Sequence, residues 1–200
     1  MTDDWVLYQR RTGLVLGFHG TEKKTADRLV VQARREHLSP SKGVNEWLGH
    51  GIYFWEYDPQ RALEWAQTGH TKRKIDKPDV LGAILDLGLC LDLTTRTGLD
   101  EVAEAFATLR ATYALVGKDL PSNKGGADKL NRELDCEVIQ ALHGYRNDRG
   151  LPPYDSVRAP FLEDKELYTG SGFRRRNHIQ VAVINSSCIK GYFRPLGAGR

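Results

Sequence analysis

The chain has no apolar run long enough to approach the roughly 20 residues of a membrane-spanning helix. It has only three cysteines, Cys90, Cys136 and Cys188, an odd number and widely spaced. No two have metal-ligand spacing, so a disulfide framework and a zinc module are both excluded, and buried free thiols in a reducing, cytoplasmic compartment are expected. His37, His50, His70, His143 and His178 also lack metal spacing, so no metal site is expected. Charge of one sign is scarce: the formal net charge is +3, which permits an anionic ligand but requires none. The basic residues gather only at Lys72-Arg73-Lys74 and Arg174-Arg175-Arg176, too little for the continuous stripe of a nucleic-acid binder. The opening Thr2-Asp3-Asp4 is unlike a secretory signal. Tyr168-Thr169-Gly170-Ser171-Gly172-Phe173 is glycine-rich but lacks the lysine and helix of a phosphate-binding loop.

What is present suits one α+β domain over residues 1–200. Short extended runs are expected at Trp5 to Tyr8, Leu14 to Leu16, Ile52 to Trp55, Val80 to Leu87, Leu89 to Leu93 and Ile179 to Ile184, with a further piece near Cys188-Ile189. Apolar residues at helical spacing predict helices over 24–34, 99–116 and 127–143, and one turn over 45–48. Asp58-Pro59 reads as an N-cap followed by proline at the first helical position, opening a helix to Thr68. Residues 144–160, rich in Gly, Pro, Asp and Arg, read as a long surface loop.

Two motifs dominate the first third of the chain. Gly17-Phe18-His19-Gly20-Thr21 follows an apolar strand, and Gly51-Ile52-Tyr53-Phe54 enters a second strand through glycine. Together they resemble the ADP-ribosyltransferase superfamily, in its diphtheria-toxin and poly(ADP-ribose) polymerase-like branch, which carries a His-Tyr-(Glu, Asp or Gln) triad on three strands. A weaker match covers about 178–193. The resemblance implies a split antiparallel sheet with flanking and inserted helices around a cleft for NAD. It implies His19, Tyr53 and Gln180 as catalytic residues, the last at the start of a late strand taken to begin at Ile179, with Glu163 and Glu166 as reserve carboxylates.

The chemistry of NAD fits these residue types. His19 can hydrogen-bond ribose hydroxyls, Gly20 lets the backbone approach the carboxamide, Thr21 can hold a ribose, and Tyr53 can stack on nicotinamide. Phe173 is a candidate ring-stacking wall. A carboxylate would support the oxocarbenium-like carbon electrostatically, whereas Gln180 brings no net charge and argues against polymer formation. His178 lies two residues before Gln180 on the same strand face, where it orients substrate or is merely exposed. Each residue also has an ordinary structural reading: a satisfied histidine, a sheet tyrosine, a polar strand position.

The resemblance therefore implies transfer of ADP-ribose from NAD to a protein or nucleic-acid acceptor, as in bacterial toxins and effectors, some of which have a neutralising antitoxin or immunity partner. Two alternatives keep the same residues: an NAD glycohydrolase, and a non-catalytic module that binds NAD or ADP-ribose.

Overall fold

The computed structural model describes residues 13–32, 36–68, 75–126 and 128–196. The strand expected at Trp5 to Tyr8 and the cluster Lys72-Arg73-Lys74 lie outside the described residues, as does the end of the first helix beyond Gln32. The fold is α+β. In chain order it runs β1 (Val15–Glu22), α1 (Lys23–Gln32), β2 (Ile52–Glu56), α2 (Pro59–Thr68), β3 (Pro78–Leu85), β4 (Cys90–Asp92), α3 (Arg96–Leu115), α4 (Glu133–Asp148), β5 (Ser156–Phe161), β6 (His178–Val183) and β7 (Ile189–Phe193). The strands form one seven-stranded sheet in the order β4-β5-β6-β2-β1-β3-β7.

The expected antiparallel sheet needs one correction. β4 and β5 pair in parallel, so the sheet is mixed at that edge. The long chain between them, which holds α3 and α4, is the crossover a parallel pair requires. The sheet is also unevenly laced. β1 and β3 match over eight residue pairs, from Val15↔Leu85 to Glu22↔Pro78, whereas β1 and β2 match only at Gly17↔Glu56 and Phe18↔Trp55. β1 and β2 therefore part beyond Phe18, at His19 and Tyr53.

Strand alternation divides the side chains between two faces. On one face Ile52, Phe54, Leu81, Ala83, Leu85, Val181 and Val183 form a core with Ala26 and Leu29 of α1. Phe54, Leu81 and Leu85 are fully buried there, each contributing about 1.5–3 kcal/mol of burial. The other face carries Phe18, Tyr53, Trp55, Val157, Ala159, Phe161 and Ala182. Ala62 of α2 covers its β1–β3 end. α3 and α4, through Ala105, Leu109, Val138, Ile139 and Leu142, cover its β4–β5–β6 end. A seam between α2 and α4 thus runs over β2 and β6.

Local chemistry sets the helix ends. Asp58 Oδ1 accepts the Arg61 N–H at 2.8 Å and Pro59 is the first residue of α2, as the sequence predicts. Thr95 caps α3, accepting from the Gly98 N–H. α4 begins six residues later than expected. Lys129 takes a positive φ of 47° before it, and the cap is remote: Asn123 Oδ1 accepts the N–H groups of Leu134 and Asp135. The helix then continues to Asp148, and β5 follows, so the long loop expected over 144–160 shrinks to the stretch between them. Leu130, expected to face a core, is 52 % exposed because it precedes the helix. The turn expected over 45–48 is an irregular segment bridged Ser41↔Gly51 and Trp47↔Gly49. All three cysteines are free and buried, and burial pushes the Cys188 thiol up to about 11.

Candidate functional site

The seam over β2 and β6 holds an aromatic and ionic cluster assembled from seven parts of the chain. Trp55 stands on β2, directly opposite Gln180 of β6. His178 stands two residues before Gln180 on the same face and opposite Phe161 of β5, on which its ring stacks at 5.5 Å. The Trp55 ring lies 6.5 Å from His178 and 5.7 Å from Trp65 of α2. Arg61, from the first turns of α2, lies over the Trp55 ring at 5.8 Å. Its guanidinium donates to Glu163 Oε2 at 2.7 Å, and Glu163 is the second residue of the segment between β5 and β6. On the far side Arg132, just before α4, lies over Trp47 and Phe161 at 4.3 and 5.0 Å.

The cluster is buried yet incompletely hydrogen-bonded. Trp55 is 4 % and His178 8 % exposed. Even so, Trp55 Nε1, Arg61 Nε, Arg132 Nε and His178 Nε2 have no hydrogen-bond partner. Each such atom costs about 1–3 kcal/mol; of the five buried side-chain nitrogens without a partner among the described residues, four gather in this seam and the fifth, His143 Nε2, lies beside Tyr154. His178 Nδ1 donates to the Arg176 carbonyl at 2.8 Å. A carbonyl can only accept, so the proton sits on Nδ1. Burial lowers the His178 pKa, against raising contributions from that hydrogen bond and Glu163. The imidazole is therefore neutral near pH 7, and Nε2 is a bare lone pair.

Five sequence-predicted site residues fall elsewhere or do other work. His19 shares the side of Gly17 and Phe54, whereas Tyr53 shares that of Trp55, so the two side chains point to opposite faces by alternation. They meet where the strands part: His19 Nδ1 donates to the Tyr53 carbonyl at 2.7 Å. The His19 ring lies edge-on to Phe54 at 5.9 Å and 6.4 Å from Trp65. The Tyr53 hydroxyl donates to the Gly49 carbonyl and accepts the Leu48 N–H, at 2.6 and 2.8 Å. Burial raises the phenol pKa well above the ordinary tyrosine range. Gly20 pairs with Val80 in the sheet. A Cβ there would lie 2.1 Å from the Ala62 carbonyl oxygen, so glycine at this position lets α2 rest on β1. Thr21 is buried opposite Asp79, and Phe173 is exposed on the β5–β6 segment. Gln180 joins the cluster's face, and the reserve carboxylate Glu163 joins the cluster itself. Glu166 instead accepts from the Gly170 N–H in the same segment.

Trp55, Trp65, Arg61, Arg132 and Phe161 carried no functional signal in the sequence. Arg61 and Glu163 are 102 residues apart, and no local pattern announces such a pair. Among the described residues no three His, Cys, Asp or Glu side chains come together as a metal cage, and no helix is long and apolar enough to cross a membrane. A depression of about 430 Å³ lined by Glu22, Lys23, Lys24, Asp27, Asp76 and Lys77 lies at the end of β1 and is charged and exposed.

No protein-family model matches the chain, and no solved structure matches it significantly. The uncharacterized protein MJ0359 of Methanocaldococcus jannaschii is 40% identical over 191 residues, which cover 86% of this chain and 83% of that one.

Proposed function

The chain belongs to the family of that archaeal protein, and from its motifs and its seam we propose that it transfers ADP-ribose from NAD to a macromolecular acceptor, releasing nicotinamide. The observation that carries this reading is topological. The strands bearing His19-Gly20-Thr21, Gly51-Ile52-Tyr53-Phe54 and His178 to Gln180 are β1, β2 and β6, and they lie side by side with β2 between the others. An ADP-ribosyltransferase type of α+β fold needs its three motif strands adjacent, although they are separated by up to about 160 residues of sequence.

The seam supplies residue types that a dinucleotide requires. Trp55, Trp65 and Phe161 offer flat apolar walls for a pyridinium or adenine ring. Arg61 and Arg132 offer guanidinium groups for a pyrophosphate. The unmet Trp55 and Arg61 N–H donors suit ribose or carboxamide oxygens. His19, its tautomer set by the Tyr53 carbonyl, serves as the ribose-holding residue. Tyr53 contributes through its backbone, and ring stacking falls to the tryptophans.

One observation favours a second reading, a module that binds NAD or ADP-ribose without turnover. Gln180 is neutral and Arg61 neutralises Glu163, so neither of these two candidates for the third residue brings an unpaired negative charge to the seam. Incubation with NAD labelled separately on nicotinamide and on adenine decides between them. Nicotinamide release with adenine label on a macromolecule supports transfer, and release without it supports hydrolysis to free ADP-ribose. Binding with no release above a His19→Ala control supports the non-catalytic module and ends the transferase reading.

A further inference from the structure

We propose that His178, not Gln180, is the proton acceptor of this site, and that the group it deprotonates is an O–H nucleophile, an acceptor hydroxyl or water. This rests on the reading of the chain as an ADP-ribosyltransferase. The sequence places the start of the late strand at Ile179, but β6 begins at His178. His178 therefore occupies the strand-opening position where the third member of the triad belongs.

The geometry at His178 is that of a held base. The Nδ1–H···O=C bond to Arg176 fixes the tautomer, and stacking on Phe161 beside Trp55 fixes the ring plane. Nε2 is left as an unpartnered buried acceptor. A buried acceptor of this kind is costly unless something donates to it, and the O–H of a bound nucleophile is such a donor. The charged groups facing the ring are Arg61 and Asp58 from α2 and its cap, and Glu163 from the segment before β6. Glu163 and Asp58 stabilise the imidazolium once the proton has moved, and Arg61 opposes it. The Gln180 amide cannot take a proton, but two residues along the same face it can hold a hydroxyl in place.

The step balances without a further reactant. The nucleophile's proton passes to His178 Nε2 and its oxygen bonds to C1 of the nicotinamide ribose. The C1–N bond breaks with its electron pair going to the pyridinium nitrogen, which leaves neutral nicotinamide, and the proton returns from Nε2 to water. Nε2 has no solvent contact, so the seam must open before a nucleophile reaches it.

The test is nicotinamide release from NAD by the full chain between pH 5 and 9, for the wild type, His178→Asn, His178→Gln and Gln180→Ala. We expect the wild-type rate to fall with a single protonation below about pH 6.5. Both His178 variants should lose roughly 100-fold in kcat with KM changed by less than about threefold, and their residual rates should lack the acid limb. Gln180→Ala should keep that limb. Besides His19, which also carries its proton on Nδ1, long-range ¹H–¹⁵N spectra of the wild type should show an imidazole protonated at Nδ1 and bare at Nε2 near pH 7 whose signals are missing in His178→Asn. His178 variants with wild-type kcat and an intact acid limb would overturn the inference and leave the transferase reading standing, as would a proton found on Nε2. Absence of wild-type nicotinamide release overturns both, and the spectrum then shows whether the held base exists without that chemistry. Should both His178 variants fail to fold, the wild-type pH profile and spectrum decide alone.

Discussion

Trp55 and Glu56 are neighbours in sequence, and each belongs to a buried polar network on its own side of the sheet. The two networks are built to different standards. On Glu56's side, Arg158 of β5 donates Nε–H and Nη2–H to the two Glu56 carboxylate oxygens at 2.6 and 2.9 Å. Its Nη1 reaches Asp92 and Thr94. The Glu56 hydrogen bond holds the Arg158 pKa above even its ordinary value. Every guanidinium nitrogen has a partner. On Trp55's side, Arg61 and Glu163 also pair, but nitrogen atoms of Trp55, Arg61, Arg132 and His178 are left without one. A satisfied network rigidifies the strands it joins; an unsatisfied one stores a cost that a ligand can relieve. The contrast separates the structural half of the sheet from the half proposed to act.

The comparison breaks most visibly at Glu56. Glu56→Ala leaves Nε and Nη2 of the buried Arg158 without a partner and Asp92 as its remaining ion pair, and urea unfolding should show a loss of about 3–5 kcal/mol while nicotinamide release per folded molecule stays near wild type. A loss under about 1 kcal/mol would mean that this network is no more structural than the other.

Acidification comes next. His143 is half-buried beside Arg146 and its pKa is pushed down to about 4, desolvation being the main cause. His178 is lowered in the same direction. The unfolded chain therefore binds more protons than the folded one below the ordinary histidine range, so stability falls as pH drops from 6.5 towards 4. His143 alone accounts for about 3 kcal/mol at most over that window. His143→Gln should flatten most of the decline in thermal midpoint against pH, and His178→Gln a further part. A profile indifferent to both variants would show that neither imidazole is held neutral.

A smaller effect is expected at Gly20. The added methyl of Gly20→Ala meets the Ala62 carbonyl and lifts α2, costing about 1–3 kcal/mol. Because α2 carries Arg61 and Trp65 but not Arg158, NAD binding should weaken by more than the stability loss explains. Equal weakening in a destabilised Glu56 variant would erase the distinction between the networks.

The smallest change sharpens it furthest. Trp55→Phe removes an unsatisfied indole N–H, so stability should hold within about 1 kcal/mol, whereas NAD affinity measured by calorimetry should drop. Destabilisation well beyond that figure would show that the indole is structural.

Much of the architecture follows from local rules. The apolar run from Val80 to Leu87 and the β-branched content of Ile179 to Ile184 mark strands, Asp58-Pro59 marks the start of α2, and the spacing of Val102, Ala105, Phe106 and Leu109 marks α3. β5 was hidden because Arg158 and Pro160 sit inside it and read as loop. Arg158 is tolerated because Glu56 and Asp92 neutralise it. Pro160 is tolerated because β4 stops pairing at Asp92↔Arg158, so its missing N–H deprives no ladder on that side. Helical spacing alone predicts α4 six residues early, because its cap, Asn123, is supplied through space.

The sequence by itself determined most of the strands and helices, β5 excepted, and where two motifs of the candidate site begin, since those depend on residues a few positions apart. The tertiary structure alone decided which polar residues meet. Arg61 finds Glu163, Arg158 finds Glu56, and His178 finds Phe161 and Trp55, because strand order and alternation bring distant residues onto one face. That placement also turned the Tyr53 side chain away from His19 and left Nε2 of His178 bare within the seam.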